Sequence, residues 1–307
     1  MELLDGFVPT SLLQRLASVE SAAFRGAVLF VDISGYTAFA ESLCAKGPEG
    51  VEHLGRILDR SLRDYVRAIR DAGGEIAAFA GDAFLAYWPE HEGLTSVAVA
   101  RATAAANALH ALAGLPELVP SVTRPSLHIG LGAGDIWAAR LGGPEHWHVL
   151  LAGPAVRQAC SAAVSAPAAA TALAPDARVL MATAPPSVPA HVAAGNGDSA
   201  SWPIDFSGHI PRRVQDYVGE GYAAWIPQRR NICALFVRID GLDEDAADAL
   251  SRHQTVVNSI HAAIRPFTGT TGTILLDDKG LVFTLCLGMP HDAHADDALR
   301  AVNGRSG

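Results

Sequence analysis

Apolar and polar positions along this chain form short buried runs separated by amphipathic stretches. Ala27 to Ile33, apolar apart from Asp32, predicts a buried strand, followed by a helix over 34–45. Gly47-Pro48 interrupts that helix. Val51, Leu54, Leu58, Leu62, Tyr65 and Ile69 then recur at helical spacing up to about Ala72, where Gly73-Gly74 ends the run. Glu75–Ala80 and Ala83–Trp88 predict two strands joined by a tight turn at Gly81-Asp82, and Pro89 closes the second. A helix is expected over 94–113 and a strand over Ser126 to Ala133. A pair of strands over 135–141 and 147–152 and a helix over 154–165 should follow. A short amphipathic helix over 11–20 precedes all of these. Strands and helices alternating around a hairpin predict an α+β sandwich on one mixed sheet.

Residues 184–229 break the pattern. Pro185-Pro186, Pro189, Gly195-Asn196-Gly197 and Pro203 mark a loose connector, with one helical stretch around Arg212 to Trp225. The pattern then restarts. Ile232 to Gly241 echoes Ala27 to Gly35, and Gly272 to Gly280 echoes the segment around Asp82, which indicates an internal duplication. The second copy runs as far as a helix over Asp296 to Val302, and Gly307 ends it. The expected organisation is a first domain at 22–184, a connector at 185–229 and the N-terminal part of a second domain at 230–307.

Hydrophobic residues make up 50% of the 307 and charged residues 18%, enough for a substantial core and two domains. A formal net charge of -9 with scattered arginines argues against a nucleic-acid surface. Apolar stretches fall short of a membrane span, and Met1 to Glu20 lacks the basic start and apolar core of a secretory signal. No membrane association and a cytoplasmic location are expected. Cys44, Cys160, Cys233 and Cys286 form no CxxC pair and read as buried, reduced thiols.

The candidate chemistry lies in two segments, Phe30-Val31-Asp32-Ile33-Ser34-Gly35-Tyr36-Thr37 and Phe79-Ala80-Gly81-Asp82-Ala83. Each delivers one aspartate from an apolar strand to a turn, and two converging carboxylates make a hard-oxygen site for magnesium or manganese. Ser34-Gly35-Tyr36-Thr37 then opens a helix whose free N–H groups suit phosphate. Gly130 to Gly134 lacks GxGxxG spacing and reads as a closely packed strand. His146 and His148 read as residues flanking a turn, with a metal pair as the alternative. The acidic run from Asp240 to Asp248 reads as a solvated helix start.

FVDISGYTAFAE together with GGEIAAFAGDAFLAYWP resembles class III nucleotidyl cyclases, in particular the soluble tandem-domain adenylyl cyclases of bacteria. The resemblance continues through Leu127-His128-Ile129-Gly130-Leu131-Gly132-Ala133-Gly134 and Val149 to Gly153. It implies a ferredoxin-like βαββαβ core, with one complete copy and a truncated second. It also implies two Mg2+ or Mn2+ ions on the catalytic Asp32 and Asp82 and the carbonyl of Ile33, with the triphosphate of ATP on Ser34, Gly35, Tyr36 and Thr37. The implied activity is conversion of ATP to 3′,5′-cyclic AMP and pyrophosphate in intracellular signal transduction.

In that family the second domain adds a base-reading lysine, an asparagine and an arginine. Thr273 stands where the lysine would be, and the other two positions fall past Gly307. Arg157 and Ser161 hold the equivalent places in the first copy, and Arg238 replaces the first metal aspartate of the second. Full activity is therefore expected to need the missing second-domain residues, supplied by self-association or another chain. The alternative is a catalytically degenerate module that binds nucleotide or a partner. Ala78 occupies the place of the basic residue through which soluble members respond to bicarbonate, so no such response is expected by that route.

Overall fold

The computed structural model describes residues 9–113, 125–143, 146–184, 209, 232–267, 269–277, 280–288 and 293–303. The expected connector at 185–229, with its helix around 212–225, lies outside the described residues apart from His209.

A short helix, α1 (Thr10–Arg15), leads into the central strand β1 (Ser21–Ser34), then α2 (Tyr36–Cys44) and α3 (Pro48–Asp71). The hairpin β2 (Glu75–Ala80) and β3 (Ala83–Pro89) follows, then α4 (Thr95–Ala113) and β4 (Ser126–Gly143). β5 (His146–Ala152), α5 (Pro154–Ser165), β6 (Ala170–Leu173) and α6 (Pro175–Ala182) complete this part. The sheet order is β2-β3-β1-β4-β5, with β6 also on β4. Strands β1 to β5 pair antiparallel, whereas β6 runs parallel to β4, so the sheet is mixed. The first four strands and their crossover helices make the expected ferredoxin-like βαββαβ core.

Side chains of a strand alternate between faces. Leu29 and Val31 therefore meet Ile69 of α3 and Val99 and Ala102 of α4 on one face. Val28, Leu85 and Tyr87 meet Leu12, Leu16 and the Ala155–Ala159 side of α5 on the other. Helix α5 comes close because Gly130 and Gly132 carry no Cβ. A Cβ on Gly130 would run into the carbonyl of Ala159, and one on Gly132 into that of Ala155. The glycine run is thus a packing surface, as its spacing implies.

Several expected boundaries move. β4 is one strand of 18 residues rather than two, because β1 pairs with it without a break from Ser34↔Ser126 to Ser21↔Ala139. Gly134 takes φ 130° inside it, so the residue that reads as a break carries the strand onward. For the same reason β1 begins at Ser21 rather than Ala27, and the first helix is shorter than 11–20. The four cysteines are free thiols, but only Cys160 is buried.

A smaller sheet is built from β7 (Cys233–Ile239), α7 (Ala249–Ile264), β8 (Thr270–Asp277), β9 (Gly280–Leu287) and α8 (Asp297–Asn303). Its order, β7-β9-β8, repeats β1-β3-β2, which supports the duplication. Ile274, Phe283 and Leu285 pack with Val257 and Ile264 of α7 and with Leu141 and Leu150 of the larger sheet in one apolar cluster. No described helix is long and apolar enough to cross a membrane.

Candidate functional site

β1 and β3 bring the two aspartates together. Their register pairs Asp32 with Ala83, the residue directly after Asp82. One step further along that register sets Ile33 opposite Asp82. Odd-numbered residues of β1 turn their backbone groups toward β3, since Arg25 accepts from the Glu90 N–H at 2.8 Å. Even-numbered ones turn toward β4, since Glu20 accepts from the Arg140 N–H at 2.9 Å. The Ile33 carbonyl therefore faces the Asp82 turn, one residue past the last paired position. Gly81, at φ 64°, makes the turn that presents Asp82. Two carboxylates and a backbone carbonyl, all hard oxygen donors, thus share one end of the sheet. Among the described residues no three His, Cys, Asp or Glu side chains already gather as a metal cage. A magnesium-type site needs no cage, because one or two carboxylates with water and phosphate complete its shell.

The helix expected from 34 begins two residues later. Ser34 stays in β1, paired with Ser126, and Gly35 turns the chain at φ 79°. The first bond of α2 runs from the Phe39 N–H to the Gly35 carbonyl at 3.1 Å, leaving the amides of Tyr36, Thr37 and Ala38 without a helical acceptor. Tyr36 and Thr37 border an open cavity of about 430 Å³ with Ala40, Glu41 and Cys44. Burial, the Asp82 carboxylate and Cys44, in that order, hold the Tyr36 hydroxyl above its ordinary value of 10.0. Tyr36, expected at the triphosphate, is thus also a protonated donor beside Asp82.

The smaller sheet abuts this corner. Thr273 Oγ1 donates to the Phe79 carbonyl at 2.5 Å, three residues before Asp82. Leu275 joins Ala77, Ala78 and Ala80 of β2 in the same apolar cluster. Ala78 therefore faces hydrocarbon. On the other side of the contact, Arg157 of α5 pairs with Glu244, whose side chain is only 6% exposed. The acidic run is therefore not wholly solvated, because the two parts of the chain close over that carboxylate.

The expected replacement of a second-copy metal aspartate by Arg238 needs correcting. β7 pairs Ile239 with Leu281, as β1 pairs Val31 with Phe84. The counterpart of Asp32 is therefore Asp240, and a Cβ on Gly280 would lie 3.3 Å from its Oδ1. Arg238 instead donates to Asp240 Oδ2 from Nε at 3.2 Å and Nη2 at 2.9 Å. Asp277 pairs with Gly280 as Ala80 does with Ala83, so the counterpart of Asp82 is position 279, a lysine. The two-residue offset between the repeats concealed this in the sequence. By sequence, the second copy thus keeps an aspartate, Asp240, at the first position and has a lysine at the second.

No protein-family model matches the chain. Over 135 residues it is 33% identical to adenylate cyclase type 10 of Oryctolagus cuniculus and of Homo sapiens, covering 43% of this chain. The matched stretch is 8% of the length of those relatives. Among solved structures, the adenylyl cyclase CyaB from P. aeruginosa matches 54% of this chain and 84% of its own at 19% identity, TM-score 0.44. A bacterial light-regulated adenylyl cyclase matches 58% and 53% at 20% identity, TM-score 0.45. A rhodopsin-guanylyl cyclase core in complex with ATPalphaS matches 52% and 83% at 18% identity, TM-score 0.43. Over those 135 residues the sequence similarity of the chain is to an adenylate cyclase.

Proposed function

We propose that this chain carries a metal-dependent nucleotide site of the nucleotidyl cyclase type, converting ATP to 3′,5′-cyclic AMP and pyrophosphate in the cytoplasm. The observation that carries this reading is the register of β1 on β3, which sets Asp32 and the Ile33 carbonyl against the Asp82 turn. Asp32, Asp82 and the Ile33 carbonyl would hold two divalent cations, Mg2+ or Mn2+, and that donor set fits them. Bound there, the ions would favour ionisation of the ribose 3′-hydroxyl and offset charge on the departing pyrophosphate.

The amides of Tyr36, Thr37 and Ala38 supply donors for the triphosphate, with the positive end of α2 behind them. The exposed Ser34 and Gly35 keep that approach free of bulky side chains. Tyr36 stays protonated and can donate a hydrogen bond beside Asp82. We read 22–184 as the domain that carries the site, 185–229 as the connector and 230–307 as the N-terminal part of a second domain.

A second reading, binding without turnover, draws on Thr273. It stands where the resemblance places a base-reading lysine, and its hydroxyl is engaged by Phe79. Losing one group that stabilises transition-state charge costs on the order of a hundredfold to a thousandfold. Turnover by this chain alone is accordingly slow unless a second copy or another chain completes the site. Cyclic AMP formation from manganese–ATP by the purified chain and by its Asp82→Ala variant tests the reading. Turnover lost in the variant supports a cyclase, whereas analogue binding with no turnover leaves the binding module.

A further inference from the structure

Far along β4 from Asp32, three histidines from both parts of the chain meet. His146 and His148 lie two residues apart at the start of β5 and so share a face. Their rings stack with centroids 4.1 Å apart. His261 comes from α7, and its Nε2 lies 3.1 Å from the Nε2 of His148 in a hydrogen bond between the two rings. One nitrogen of that pair donates and the other accepts, so the bond exists only while one of them carries no proton.

The cluster sits in the joint between the two sheets. Gly142 of β4 exchanges two hydrogen bonds with Gln254 of α7: its N–H donates to Oε1 at 3.1 Å and its carbonyl accepts from Nε2 at 2.6 Å. Gln254 precedes His261 by seven residues, two helical turns, and so lies on the same face of α7. Leu141 and Leu150 of the larger sheet pack there with Val257 and Ile264 of α7 and Ile274 and Leu276 of β8.

Carboxylates are missing from the elements that make this joint. Neither β5 nor α7 contains an Asp or Glu. On β4, Asp135 pairs with Arg25, and Arg140 lies over the Trp147 ring, on the opposite face from His148. The other ionisable groups nearby are cationic when charged. His209 bears on His148, His253 of α7 lies against Trp137, and Arg265, one turn past His261, is exposed. Glu145, just ahead of β5, lies outside the described residues.

We infer that His146, His148 and His261 form an acid-sensitive latch, which holds α7 and its sheet on β5 while the rings are neutral and releases them on proton uptake. Protonating both nitrogens of the His148–His261 pair abolishes their bond and sets two cations 3.1 Å apart, with a third ring stacked on them. Burial first, then His261, holds His146 down to about 4. Burial first, then His146, His261 and His209, holds His148 well below 6.5. The closed joint thus excludes protons that the opened rings take up near 6.5. Closure is fully favoured above pH 6.5 and weakens as pH falls from there toward about 4. Because β8 also reaches the Phe79 carbonyl through Thr273, opening withdraws support from the hairpin that presents Asp82.

The test follows amide hydrogen exchange of the full chain by NMR at pH 7 and pH 5, each rate corrected for its intrinsic pH dependence. The Gly142 amide donates across the joint and reports its opening, whereas Leu29 reports the core of the larger sheet. Each excluded proton raises the opening constant about tenfold per pH unit below 6.5, so two lower Gly142 protection at least about 100-fold between these pH values. Gly142 should also exchange faster than Leu29 at both, as the joint opens ahead of the sheet. His146→Phe keeps a ring on His148 and removes one proton, so the fall should shrink about tenfold. Adding His148→Leu should abolish it, and His91→Gln, outside the cluster, should leave it whole. If the double variant fails to fold, His146→Phe alone decides. No fall at Gly142, an equal fall in folded His146→Phe, or Gly142 protection equal to that of Leu29 overturns the inference.

Discussion

The hydroxyl of Thr273 donates to the carbonyl of Phe79 at 2.5 Å and ties β8 to the hairpin that presents Asp82. A residue from the smaller sheet thus supports the strand that carries a candidate metal ligand, 194 positions earlier in the chain. Replacing it with valine keeps the shape and removes the donor, leaving the Phe79 carbonyl unsatisfied. Thr273→Val should cost about 1–2 kcal/mol in chemical unfolding. An unchanged midpoint would mean that the contact contributes nothing to holding the two sheets together.

Arg157 and Glu244 make the second tie between the two parts. The guanidinium is 44% exposed and the carboxylate 6%, so the pair lies between surface and interior. Arg157→Ala strands the buried carboxylate and should cost about 2 kcal/mol, between the values for exposed and buried pairs. Arg157→Ala combined with Glu244→Gln should recover much of that loss, as a double-mutant cycle by urea denaturation would read.

Gly130→Ala inserts a methyl where the Ala159 carbonyl already lies. The backbone of α5 must retreat from β4, at about 1–3 kcal/mol. Gly81→Ala meets no neighbouring atom within 4 Å and is strained only by its φ of 64°, so it should cost about 1–2 kcal/mol. Thermal unfolding of the two variants separates crowding from backbone strain.

Tyr87 is buried and donates to Glu75 Oε2 at 2.9 Å, with Ser11 Oγ 2.6 Å away. Burial first, then the Glu75 charge, raises its hydroxyl well above 10.0. The folded state therefore keeps a proton that the unfolded chain releases near pH 10. The stabilisation is complete below pH 10 and is lost as pH rises through the folded value. Tyr87→Phe should flatten part of the alkaline decline in stability measured by urea denaturation from pH 8 upward. Tyr36, Tyr65 and Cys286, also raised by burial, contribute to the same decline.

The sequence made local features legible. Ala27 to Ile33, the Gly81-Asp82 turn and the helical spacing up to Ile69 each bury a face or need a glycine, so pattern and fold agree there. It was misleading at Gly134, where glycine continues a strand held by partners on both edges. Long-range pairings left no local signal. Asp32 beside the Asp82 turn was legible through a family motif, whereas Arg157 with Glu244 and His148 with His261 join segments 87 and 113 residues apart. The Asp240 counterpart of Asp32 was hidden because glycine alignment and strand register differ by two positions.

The most direct test of the metal–nucleotide site is titration of a non-hydrolysable ATP analogue into the chain with and without Mn2+, repeated on Asp82→Ala. Binding should require Mn2+ and weaken by at least about 100-fold in the variant, which keeps its Tm. Equal affinity in a folded Asp82→Ala variant, or binding indifferent to Mn2+, would contradict the assignment of Asp32 and Asp82 to one metal-bearing nucleotide site.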